Sequence, residues 1–238
     1  MLMRLSVRKR ALGRTVAASG LGLVELIVAM TIGLVLLTGV LSIFADSLRS
    51  NRFATQNSRL NQDLNGVMEV MVRDIRRAGY WGLAENGIGN SAAYAANPFI
   101  ADISAGDGGI DTSTTGCILF RYDRSDDGSL QDSERVGYRL SSGAVQMLTA
   151  ATSATHSCAD GSWESITDSR LSTVTALTFS KTHASASPSS GVVCTRDVTI
   201  TLTGQLVSDS TVTQTLTQLV RVRADWYGSS NTCPANTP

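Results

Sequence analysis

The chain has 238 residues, 42% of them hydrophobic and 17% charged, so it is neither a polytopic membrane protein nor a disordered polymer. Lysine plus arginine and aspartate plus glutamate balance at 20 each, yet five bases (Arg4, Arg8, Lys9, Arg10 and Arg14) fall in the first twenty residues, which hold no acid. From Leu21 on, 15 bases face 20 acids, a formal charge of −5, and that balance argues against direct nucleic-acid binding, whose affinity comes from clustered Lys and Arg.

The basic start precedes twenty residues, Leu26 to Ala45, with no charge and no proline. At ~1.5 Å per residue a helix of that length spans ~30 Å, the thickness of a bilayer core. Bases before it and acids from Asp46 onward predict a single span with the N-terminus inside and all later residues outside. A secretory signal has a shorter apolar stretch, about 7 to 15 residues, ending in a small-residue cleavage site.

One carboxylate, Glu25, sits at the start of this stretch. A charge in or beside a bilayer core costs a few kcal/mol unless it lies at the headgroup boundary, so such an acid is a functional candidate. With its neighbours, Gly20-Leu21-Gly22-Leu23-Val24-Glu25 resembles the processing site of type IV prepilins. In that family a prepilin peptidase cuts after the glycine, the new N-terminus is methylated, and the glutamate five residues on serves assembly. Leu21 stands where the family usually has phenylalanine, and Gly22 where it has Thr or Ser.

Past the apolar stretch, Leu60, Leu64, Val67, Met71 and Ile75 recur at helical steps, Met68 and Val72 widen the stripe, and Arg59, Asp63, Glu69 and Arg73 take other faces. The pattern predicts one helix from about Leu21 to Ala78, closed by Gly79 in the left-handed conformation that commonly ends helices. The run Arg73-Asp74-Ile75-Arg76-Arg77-Ala78-Gly79-Tyr80-Trp81-Gly82 is similar to the helix exit of PilW-type minor pilins. Residue by residue, it reads as a solvated helix end followed by two aromatics that plug the head.

Residues 80–115 are rich in Gly, Ala, Ser and Asp and read as a connecting region with little regular structure. From 116 the period changes to two. Candidate strands are Cys117 to Tyr122, Arg135 to Leu140, Ala144 to Leu148, Val174 to Ser180, Val192 to Leu202 and Val212 to Val222, with a loop at 182–191 and an irregular tail from Gly228. Thr199, Thr201 and Thr203 alternate with Ile200 and Leu202, as in an antiparallel strand with one wet face. The expected fold class is α+β and pilin-like: a leader at 1–20, a helix at 21–79 with its membrane segment at 26–45, the connecting region, and a β-rich head at 116–238.

Cys117, Cys158, Cys194 and Cys233 all lie on the outer side, where an oxidising compartment favours two disulfides. Three connectivities are open. We favour Cys117 with Cys158, bracketing a hairpin, and Cys194 with Cys233, tying the tail to a central strand. Zinc finds no CxxC, and His156 and His183 are isolated. The loop after the first long strand places Asp123, Ser125, Asp127, Gly128, Ser129 and Glu134 at positions 1, 3, 5, 6, 7 and 12 of the EF-hand pattern, a candidate calcium site. Its flanks read as strands rather than helices, and an acidic hairpin tip has the same composition.

No GxSxG, HExxH or P-loop is present, so no enzyme and no required cofactor is expected. The resemblance implies a minor pilin, held in the bacterial inner membrane before assembly and found in the pilus fibre at the cell surface after it. Its implied partners are prepilin peptidase, other minor pilins, the major pilin and the assembly platform. Its implied work is to initiate type IV pilus assembly and form the tip. A minor pseudopilin of a type II secretion system shares the same leader and helix. A single-span periplasmic scaffold that never polymerises is the remaining alternative.

Overall fold

The computed structural model describes residues 22–87, 97–100, 109–112, 115–186 and 192–228, and it divides between Arg52 and Phe53 into two compact units. A single helix, α1 (Leu23–Ile75), contributes to both.

In the first unit every described residue is exposed, apolar ones included. The three hydroxyls of the uncharged stretch turn back onto the helix: Thr31, Thr38 and Ser42 donate to the carbonyls of Val28, Val35 and Gly39 at 2.9, 2.8 and 2.8 Å. That habit removes polar groups from a surface that meets an apolar medium. The helix is long and apolar enough to cross a membrane.

In the second unit the predicted stripe is the buried one. Leu60, Leu64, Met71 and Ile75 are fully buried, and Val67, Met68 and Val72 nearly so. Each such side chain contributes about 2–3 kcal/mol by leaving water. Opposite the stripe stand two antiparallel sheets. The first is a meander of β1 (Ile110–Asp111), β2 (Cys117–Arg121), β3 (Arg135–Ser141), β4 (Ala144–Ala150) and β5 (Ser162–Ser165), in that spatial order. The second sets β6 (Ser172–Ala186) along one edge of β7 (Val192–Leu206), with β8 (Thr213–Arg221) and β9 (Trp226–Gly228) on the other.

Period two sorts the residues. Ile118, Phe120, Val136, Tyr138 and Val145 face the helix from the first sheet, and Leu177, Phe179, Val198, Ile200 and Leu202 from the second. Gly204 continues the inner row of β7, and a Cβ there would come 2.9 Å from Leu64, so glycine lets the helix seat against the strand. Outside, Thr201 and Thr203 pair across strands with Thr217 and Thr215, their hydroxyls 3.3 and 3.0 Å apart. The other face of β2 is covered too: Cys117 and Leu119 pack with Leu148, Ala151 and Trp163 in a small second core. This is why the whole of β2 is buried and its residues 117–120 read as a continuous apolar run.

The α+β, pilin-like expectation therefore holds, with differences in extent. The helix ends at Ile75, and the next residues tighten into turns, Arg77 and Ala78 donating to the carbonyls of Asp74 and Ile75. β6 runs on through residues 182–186, which the sequence reads as loop, because β7 offers a continuous ladder as far as Ala186. Strand β5 and the short β1 and β9 are absent from the predicted set.

Candidate functional site

Gly20 and Leu21 lie outside the described residues. Glu25 occupies the first turn of α1, exposed, where an acid complements the positive end of the helix dipole. Among the described residues before Asp46 the only other polar side chains are the back-bonded hydroxyls already named, so Glu25 is the one charge on that stretch.

At the far end of α1, the Arg-Asp-Ile-Arg run has a split role. Ile75 is core, and Asp74 is buried, accepting a 2.6 Å hydrogen bond from the Tyr138 hydroxyl of β3. Burial and the Asp74 charge drive the phenol's pKa well above its ordinary value, which keeps it a donor. Gly79 leaves the helix at φ +77°, donating its N–H to the Arg121 carbonyl at 2.7 Å. A Cβ at Gly79 would come 2.8 Å from the guanidinium of Arg196, which is wholly buried and donates to the Ala224 carbonyl.

The aromatics that follow do not plug the core. Tyr80 is half exposed and donates to Asp126 at 2.9 Å, while the Trp81 indole donates to the Gly128 carbonyl at 3.2 Å. Both rest on the loop between β2 and β3. The carboxylates of that loop, whose spacing suggested a cation site, are turned elsewhere. Asp123 accepts the backbone N–H groups of Gly82, Asp126 and Gly128 at 2.9, 2.6 and 2.9 Å. Glu134, fully buried, accepts those of Arg124, Ser125 and Gln131 at 2.7, 3.0 and 2.9 Å and the Ser125 hydroxyl at 3.0 Å. Asp127 accepts the Ser129 N–H at 2.8 Å and the Gln131 amide at 2.7 Å, and the first of these holds its carboxyl below the usual range. Among the described residues no group of three or more His, Cys, Asp or Glu side chains is placed to hold a metal ion, Asp123, Asp127 and Glu134 included. The positive ends of six N–H dipoles already fill the coordination of Asp123 and Glu134, so two carboxylates organise the loop from within. The EF-hand spacing coincides with these anchor positions because both arrangements wrap backbone around fixed oxygens.

Cys117 and Cys158 are joined, closing a loop of 41 residues over the second core, and Arg139 beside them donates to the Cys158 carbonyl at 2.7 Å and lies 4.4 Å above the Trp163 ring. Cys194 is buried and disulfide-bonded; Cys233 lies outside the described residues. His156, isolated in the sequence, is half-buried, and its Nε2 donates to the Val136 carbonyl at 3.1 Å. Burial pushes its pKa down to about 4, with Arg121 and Arg135 adding to the effect.

What the sequence did not bring together is a cluster of arginines. Arg73, Arg76 and Arg77 from the helix end, Arg124 from the loop and Arg223 from the segment after β8 are all exposed and line adjoining hollows of about 550 and 270 Å³.

No match is found among curated proteins or solved structures. The family model for prepilin peptidase-dependent protein B matches residues 53–222, most of the chain and the whole span from the amphipathic part of α1 through β8. With a long apolar-to-amphipathic helix, an acid in its first turn and an antiparallel head, the chain belongs to the prepilin peptidase-dependent protein B family and is a pilin-like protein.

Proposed function

We propose that the chain is a PilW-like minor pilin. Prepilin peptidase cleaves it after Gly20, the apolar helix holds it in the inner membrane with the N-terminus inside, and it is then drawn into a type IV pilus, where it helps initiate assembly and occupies the tip. The observation that carries the reading is the combination on one chain of Glu25, five residues past Gly20 at the start of an uncharged helix, with a head of the prepilin peptidase-dependent family. Glu25 serves assembly by pairing with the free N-terminal amine of this or an adjacent subunit, since removing an isolated acid from an apolar environment would otherwise only ease burial.

A deletion strain tests this. Loss of surface pili and twitching with exoprotein secretion intact fits the proposal; the reverse pattern assigns the chain to a type II secretion pseudopilus. Glu25→Ala should leave cleavage and insertion intact while lowering recovery in sheared filaments, and equal recovery would contradict the assembly role.

A further inference from the structure

The chain beyond Leu21 is acidic overall, yet five arginines from three separate stretches meet on one surface of the second unit. Their positions are fixed by the backbone: Arg223 donates its N–H to the Arg76 carbonyl at 3.0 Å, and the Arg124 N–H is held by Glu134 at 2.7 Å. Arg77 and Arg124 both lie against the Tyr122 ring, at 5.9 and 5.5 Å from its centroid.

Acids stand on the same walls, Asp123 and Asp225 in the larger hollow and Glu69 in the smaller, but the five guanidiniums outnumber these three carboxylates and are little paired with them. Arg73 approaches Asp74 Oδ1 at a long 3.8 Å, while the other oxygen of that carboxylate accepts from Tyr138. Arg76, Arg77, Arg124 and Arg223 form no ion pair among the described residues. Bases in the last turn of a helix complement its dipole, which accounts for Arg73 and Arg76. It does not account for Arg124 and Arg223, which arrive from elsewhere and crowd like charges together.

The neighbouring hollow selects the kind of anion. Its wall includes Tyr80, Trp81, Tyr122 and Ala224, and also the carboxylates Asp123 and Asp225. A polyphosphate strand carries a charge at every unit and so meets Asp123 and Asp225 wherever it lies, whereas a peptide can set an uncharged side chain beside those acids and keep its carboxylates on the guanidiniums. A peptide carboxylate pairs with one guanidinium through two parallel hydrogen bonds, and an adjacent apolar side chain can use the rings. Arginine with Trp and Tyr is also the composition that dominates binding energy at protein interfaces.

We propose that the arginine cluster and this aromatic hollow form a docking site for an acidic peptide segment of a partner protein, which lays its carboxylates on Arg76, Arg77, Arg124 and Arg223 and an apolar side chain against Tyr80 and Trp81. The proposal stands independently of whether the chain polymerises.

The test uses the full chain in neutral detergent micelles and the fluorescein-labelled peptide Glu-Asp-Phe-Asp-Glu, followed by fluorescence anisotropy. Saturable binding is expected, weakened at least about tenfold when the acids are replaced by Gln and Asn, and severalfold when Phe is replaced by Ala, tenfold being about 1.4 kcal/mol. The variant Arg77→Gln/Arg223→Gln should weaken binding by a similar factor, whereas Arg170→Gln, which removes an exposed charge outside the hollow, should not. The basic N-terminal residues are common to all variants, so only the differences count. Circular dichroism melting establishes that the variants are folded. No saturable binding, equal loss in Arg170→Gln, equal binding of the uncharged peptide, or tighter binding of a thymidine oligonucleotide than of the peptide would each overturn the proposal, the last by showing a general polyanion surface.

Discussion

The two parts of α1 follow different grammars. From Leu23 to Phe53 apolar residues occupy every face and all are exposed; from Leu60 to Ile75 they gather on one side, and that stripe is buried, with Val70 half-buried at its edge. The second part makes its own apolar surroundings from two sheets. The first part has none, so its exposed Leu, Ile and Val define a requirement for another medium, a bilayer or packed neighbouring helices. The same backbone thus carries a self-sufficient segment and a dependent one, and perturbing each should give different readouts.

The largest disturbance to the self-sufficient part is removal of the covalent tie. Cys117→Ala/Cys158→Ala frees a loop of 41 residues, and loop entropy puts the loss at about 4 kcal/mol, read as a lowered denaturant midpoint. Next, Leu64→Ala should cost about 3 kcal/mol, since Leu64 is fully buried against Gly204; Leu34→Ala, in the exposed part, should change head stability by less than about 0.5 kcal/mol. Equal effects would erase the contrast between the two parts. Tyr138→Phe keeps the ring but removes the donor to buried Asp74, for about 2 kcal/mol in the same unfolding assay.

The smallest effect is a pH dependence. His156 has its folded pKa pushed down to about 4, while the unfolded chain takes up the proton near 6.5. Between those values the unfolded state binds more protons, so stability falls as pH drops from about 6.5 and levels off below about 4. Allowing for partial exposure, the loss is about 1–2 kcal/mol. His156→Gln, whose amide can still donate to Val136, should flatten that part of the profile; an unchanged profile would show that His156 does not set it.

The stripe on α1 was legible because a 3.6 period over sixteen residues has one interpretation, and the long strands because period two held on their inner rows. β5, Ser-Trp-Glu-Ser, carries one apolar residue and is a strand only because β4 presents a free edge. The 182–186 extension has poor strand propensity and is held by pairing along β7. Arg196 and Lys181 are buried on the inner rows with Val198 and Phe179, and alternation alone would have placed them there; a charged side chain made that placement look improbable until Ala224 and Ile110 supplied acceptors. In the loop, spacing located the important oxygens but not what they hold, because N–H groups pointing at Asp123 and Glu134 depend on the backbone path. The arginine cluster was illegible for the same reason: its members are separated by up to 150 residues and meet only when β8 ends beside the helix.

The central claim is that this is a processed prepilin, and the N-terminus of the membrane-extracted protein tests it most directly. Intact-mass and N-terminal peptide analysis should find a mature chain beginning Leu21-Gly22-Leu23-Val24-Glu25 in wild-type cells and the unprocessed chain in a strain lacking prepilin peptidase. A mature start near Asp46, or a chain beginning at Met1 in both strains, would contradict the account.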